Sequence, residues 1–170
     1  MPAWRPFANT REHRLLLREV LDELVADGLV SQDETAGLEV VSRLNLRANQ
    51  HPLAIVANQK LRSAAPPNQL LTLEDLTAWL ADKVGLPHFT IDPLKIDVAA
   101  VAGLISPNYA TRFLILPVAV TAKEVTIATA EPFLTEWMRE ISQLLRRDIK
   151  RVIANPDDIA RYLTEFYNLA

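Results

Sequence analysis

The chain has no cysteine among its 170 residues. Disulfides, thiolate zinc sites and thiol catalysis are therefore excluded, and the lack suits a reducing compartment. Glycine is almost as scarce: Gly28, Gly37, Gly85 and Gly103 are the whole supply, and leucine follows each of them. A phosphate-binding loop needs glycines that let backbone N–H groups wrap a phosphate, followed by lysine and a hydroxyl residue. Neither that pattern nor a G-x-G-x-x-G spacing occurs. Aromatics make up only 6% of residues, and the apolar stretches, such as Phe113 to Val120, fall far short of the ~20 residues a membrane helix requires. The N-terminal Met1-Pro2-Ala3-Trp4-Arg5-Pro6 lacks the apolar core of a signal peptide.

What is present points to an ordinary folded chain. Apolar residues reach 49% and charged residues 23%, a balance that excludes disorder. At this length roughly 70% of the unfolded surface can be buried, enough for a core without staples. The formal net charge of -3 argues against nucleic acid as a partner. A helix-turn-helix around Gly28-Leu29-Val30 fails on the same ground: its second helix carries Asp33, Glu34 and Glu39 against Arg43 and Arg47, and phosphates would repel its start.

The first half has helical period. Leu17, Val20, Leu21 and Leu24 form one apolar face, predicting a helix from about Thr10 to Gly28. Ser31 and Glu34 make a capping box for a second helix, and Pro52 opens a third through Leu53, Val56 and Ala57. Arg62 to Asn68, holding Pro66 and Pro67, cannot continue a helix and reads as an exposed linker. Thr72 and Asp75 cap a fourth helix that ends at Gly85.

The second half changes period. Phe89-Thr90-Ile91 is expected as a short strand and Asp97 as the cap of a short helix. Phe113 to Val120 and Val125 to Ala130 read as a hairpin, and Ile149 to Ala154 as a third strand. The helix between them, through Leu134, Trp137, Met138, Ile141 and Leu145, makes a crossover that sets the last two strands parallel. Asn155-Pro156 starts a final helix with Ile159, Tyr162, Leu163 and Phe166 on one face. The expected fold is α+β: a helical subdomain over residues 1–68 including its linker, then an α/β domain over 69–170 whose small mixed sheet is packed with helices.

No catalytic constellation emerges. His13, His51 and His88 have no metal-ligand spacing and are expected as surface or capping residues, so neither a metal nor a cofactor is implied. The densest cationic cluster is Arg146, Arg147, Lys150 and Arg151. Two readings stand: helix-terminal cations that complement the macrodipole, or a contact for an acidic partner.

From about Leu70 onward an ordered series of motifs carries a resemblance. Leu73, Leu76 and Leu80-Ala81 lead to Gly85-Leu86-Pro87 and Ile91-Asp92. Then come Ile115-Leu116-Pro117-Val118, Val125-Thr126-Ile127-Ala128-Thr129-Ala130-Glu131-Pro132, and Pro156 with Ile159 and Tyr162. The series resembles the N-terminal domain of type II secretion and type IV pilus assembly ATPases, with Glu131-Pro132 where the family usually has Asp-Pro. The resemblance implies a domain without catalysis of its own, preceding the ATPase module of a longer chain. It further implies docking to the cytoplasmic domain of an inner-membrane component, at the cytoplasmic face of that membrane and without inserting into it. The end of the chain at Asn168-Leu169-Ala170, directly after the last helix, fits a cut before such a motor.

More faintly, the first 60 residues resemble the helical part that some family members use to bind cyclic-di-GMP, which gives the alternative function of a second-messenger sensor. That motif runs Arg-Leu-Gly and then a glycine further along, twice. Here Gly28-Leu29-Val30 matches its end, but Glu19-Val20-Leu21 stands in place of Arg-Leu-Gly. In the second copy Lys60-Leu61-Arg62 is suitably spaced, yet Pro66 and Pro67 interrupt it and Gln69 replaces the glycine. Weak or absent messenger binding is expected, with Arg14 or Arg18 as substitutes through a shifted register.

Overall fold

The computed structural model describes residues 6–44 and 50–169. The readings made on Met1 to Arg5, on Arg47 and on Ala170 lie outside these residues. The helices are α1 (Leu17–Ala26), α2 (Gln32–Leu44), α3 (Pro52–Asn58), α4 (Leu73–Val84), α5 (Val98–Val101), α6 (Pro107–Phe113), α7 (Glu136–Leu145) and α8 (Pro156–Leu169). The strands are β1 (Ile115–Val120), β2 (Glu124–Thr129) and β3 (Asp148–Ile153). They form one sheet in the order β1-β2-β3, with β1 antiparallel and β3 parallel to β2. The α+β architecture and its mixed sheet are as the sequence implies.

Local chemistry sets most boundaries. Ser31 and Glu34 exchange the two bonds of a capping box before α2, and Thr72 and Asp75 do the same before α4. Gly85 ends α4 in the left-handed region at φ 71°, where a side chain is disfavoured. The Asn155 side chain accepts from the N–H groups of Asp157 and Asp158 to cap α8. Pro117 is tolerated because β1 is an edge strand and its register slips between Pro117 and Ala119.

Three expectations need correction. α1 begins at Leu17 rather than near Thr10, because the N–H groups of His13 and Leu15 are donated to the distant Phe133 carbonyl and Glu131 carboxyl rather than to a preceding helical turn. Phe89 to Ile91 is no strand; a single parallel bridge joins His88 to Ile153. The apolar stretch from Phe113 to Val120 is divided, since Phe113 closes α6 and Leu114 turns left-handed at φ 55° before β1 starts. α6 itself, capped by Ser106 with Pro107 in its first turn, was not anticipated.

Two apolar clusters share the interior. One gathers the sheet with α7 and α8 around Ile115, Ile127, Trp137, Ile159 and Phe166. The other gathers α1, α3 and α4 around Leu21, Leu24, Leu53, Leu76 and Leu80. Phe133 and Ile153, from the sheet half of the chain, pack into this second cluster and join the two.

Candidate functional site

The four cations singled out in the sequence separate into two kinds. Arg147 is half-buried, and its guanidinium donates to the Thr121 carbonyl at 2.8 Å and the Leu145 carbonyl at 3.4 Å. Arg151 is half-buried too and donates to the Pro132 carbonyl at 2.7 Å; burial lowers its pKa. Both are braces between the strands and their connections. Arg146 and Lys150 are exposed and have no ion-pair partner among the described residues. Arg146 stands at the C-terminus of α7 in the left-handed conformation, φ 54°, which swings the chain directly into β3. Next to it an open groove of about 460 Å³ is lined by Lys123, Ser142, Gln143, Arg146, Arg147 and Asp148. The groove is cationic on balance and can attract carboxylates or other anions.

The positions that echo the messenger motif are put to other uses. Glu19 accepts from the Leu16 N–H at 2.8 Å and contacts the His13 ring nitrogen at 2.8 Å, so it holds the segment before α1. Val20 and Leu21 are sealed in the helical cluster. Gly28 ends α1 at φ 75°. Lys60 and Arg62 are exposed, and Arg62 bridges Leu70 across the loop that contains Pro66 and Pro67. The two motif copies do meet: the Ala64 N–H donates to the Leu29 carbonyl at 2.9 Å. Of the substitute arginines, Arg14 donates to the Arg112 carbonyl, while Arg18 is exposed.

Sequence reasoning missed the joint between the N-terminal segment and the sheet. Glu131 is only 3% exposed and accepts from the Leu15 N–H at 2.8 Å. Burial pushes its carboxyl up to about 7, against the pull of the Leu15 N–H, Arg14 and His13. The His13 ring stacks on Phe133. Burial opposes its charge, but the Arg11 carbonyl and the Glu19 carboxylate prevail and raise its pKa. Glu12 accepts from the N–H of Thr135 and of Glu136 and so caps α7 from a distance of 123 residues. The Glu131-Pro132 pair was visible as a motif, but nothing local to residues 12–15 advertised their partners.

A second unforeseen network lies between α1 and α4. The Lys83 ammonium, buried, reaches Glu23 at 2.9 Å and Asp27 at 3.3 Å, and the Trp79 indole donates to Asp27. His51 is the cap of α3, accepting from the Leu53 N–H, while its other nitrogen meets the Ala130 carbonyl at 2.7 Å. Burial lowers its pKa to about 4. Among the described residues no group of three or more His, Asp or Glu could hold a metal ion.

Comparison with known proteins gives these features a setting. A family model described as the MshEN domain matches residues 84–170. The type IV pilus assembly ATPase TfpB of Acinetobacter baylyi is 33% identical over 151 residues, 88% of this chain and 26% of that protein. The chain thus spans about a quarter of the length of that curated relative. Among solved structures, MshE with cdg superposes with a TM-score of 0.56 at 19% identity, covering 91% of this chain and 100% of the other. The N-terminal domain of XpsE gives 0.50 at 13% identity, covering 91% and 99%. At these identities the two structures speak for the fold.

Proposed function

Because this chain belongs to the MshEN domain family, the N-terminal domains of type II secretion and type IV pilus ATPases, we propose that it is a docking domain. In this reading it ties an ATPase motor, carried by the rest of a longer protein, to the cytoplasmic domain of an inner-membrane component. It works in the cytoplasm and reaches the membrane only through that partner. Among the described residues no helix is long and apolar enough to cross a membrane, which is consistent with such a role. Residues 1–68 form its helical subdomain and 69–170 its α/β domain.

The observation that carries the reading is the pair Arg146 and Lys150. Both stand exposed, Arg146 beside a groove, while their neighbours Arg147 and Arg151 are bound to internal carbonyls. A partner surface bearing carboxylates would complete them. The chain's own chemistry for this is electrostatic steering and hydrogen bonding, with no bond made or broken.

The rival reading, a cyclic-di-GMP sensor, takes its support from the likeness to MshE with cdg. Against it stands Glu19, whose charge occupies the place of the first arginine and is tied to His13 and Leu16. Titration calorimetry with the cytoplasmic domain of the membrane component, and separately with cyclic-di-GMP at low salt, divides the two. Docking requires binding of the protein domain that weakens at least about tenfold in an Arg146→Glu, Lys150→Glu variant. Low-micromolar binding of the dinucleotide, reduced by Arg18→Ala, together with no binding of the protein domain, would replace docking by sensing.

A further inference from the structure

Backbone hydrogen bonds alternate along β3. Even-numbered residues turn toward β2: the Asp148 N–H donates to the Lys123 carbonyl at 2.9 Å and the Ala154 N–H to the Thr129 carbonyl at 3.1 Å. Odd-numbered residues therefore turn their N–H and C=O groups to the opposite edge. At Ile153 that edge is already used. Its N–H donates to the Pro87 carbonyl at 2.8 Å, and its carbonyl accepts from the Phe89 N–H at 2.8 Å. The segment 87–89 lies there as a one-bridge parallel neighbour. Ile149 and Arg151 present the same outward groups, and among the described residues nothing on the backbone pairs with them.

We infer that the free edge of β3 at Ile149 and Arg151 receives an extended, acidic segment of a partner protein as an added strand. The inference rests on the docking reading above and states how the same cationic patch would be used. Two observations support it. The edge demonstrably takes an extended segment in this chain, since residues 87–89 already occupy its far end. The charge beside the open part is cationic: Lys150 lies between the two unpaired positions and Arg146 precedes them, both exposed. Main-chain bonds supply affinity in strand addition, and side chains at alternate positions supply specificity. A strand with carboxylates at alternate positions sets them against Lys150 and Arg146; a basic strand is repelled.

The test uses the isotope-labelled chain and a short synthetic peptide alternating glutamate and valine as the probe. Strand addition predicts that amide exchange at Ile149 and Arg151 slows on the order of tenfold while exchange at Lys150 barely changes, because only the odd N–H groups gain partners. The same peptide with alternate amides N-methylated must fail to protect them. Lys150→Glu must weaken binding of the unmodified peptide, with the free chain's spectrum otherwise preserved. Equal binding of the methylated peptide, an unaltered exchange pattern, or no peptide binding overturns the inference. So does concentration-dependent protection without peptide, which would mean that a second copy fills the edge. Separate fates are distinguishable. If the membrane component's cytoplasmic domain binds and leaves Ile149 and Arg151 exchanging freely, docking stands and strand addition falls. If the peptide adds but that domain does not bind, the reverse holds.

Discussion

Glu131, buried, and His51, half-buried, stand on opposite sides of the charge question, and the pH response of stability follows from both. Glu131, raised from an ordinary 4.5 to about 7, keeps its proton in the fold where the unfolded chain has lost it. Its contribution is complete below pH 4.5 and lost as pH rises toward 7, an effect on the order of 3 kcal/mol. His13, also raised, acts in the same direction above pH 6.5. His51, lowered from 6.5 to about 4, acts in the other: its contribution is complete above pH 6.5 and lost as pH falls toward 4. The two large effects oppose each other between about 4.5 and 6.5, so urea midpoints of the parent chain should vary little there. Glu131→Gln, which still offers Leu15 an acceptor, should expose the His51 slope, with midpoints rising from pH 4.5 to 6.5. An unchanged profile would place Glu131 outside the titration.

The same residues mark how far the sequence could be read. Arg146 and Lys150 were legible as surface cations because a helix end and an exposed strand position leave them in water. Arg147 and Arg151 were not separable from them, since their acceptors are the carbonyls of Thr121 and Pro132, 26 and 19 residues away. Glu19 was legible as a misfit in the motif. Its brace to His13 and Leu16 depends on a backbone path that periodicity does not report.

At the level of elements, α7, α8 and the hairpin followed from apolar spacing, whereas α6, opened by Ser106 and Pro107, was missed because it is short and largely polar, and α1 was overextended. The error at α1 comes from tertiary contacts that override local pattern. α7 shows this in its cap. Thr135 makes no side-chain cap bond, and Glu12 supplies the acceptor instead. Glu12→Ala should cost about 1 kcal/mol and speed amide exchange at Thr135 and Glu136 selectively. Uniform exchange changes along the whole chain would mean a global effect rather than a lost cap. α8 is held differently, by its buried face of Ile159, Tyr162, Leu163 and Phe166. Leu163→Ala should lower unfolding free energy by about 2–5 kcal/mol, and a loss near zero would make the helix peripheral to the core.

Across the whole molecule, the two clusters touch through Phe133, Ile153 and the segment from Phe7 to Leu15. Trp137 reports on the sheet cluster and Trp79 on the helical one. With Trp4 replaced by phenylalanine, chains retaining only one of these two should unfold at the same denaturant concentration if the shared contacts make the molecule cooperative. Two separated midpoints would show that the two clusters unfold independently.

The bonds made by residues 12–15 also impose an order in time. Their partners, Arg112, Glu131, Phe133 and Thr135, lie about a hundred or more positions later in the chain. At roughly 5–20 residues per second of synthesis, the segment is made first and waits on the order of ten seconds for these later partners. Until then Phe7 lacks its contact with Phe133, and Leu15 lacks its acceptor on Glu131. A ribosome-bound nascent chain stopped before Glu131 emerges should therefore leave this segment open to protease, and one stopped beyond Phe166 should not.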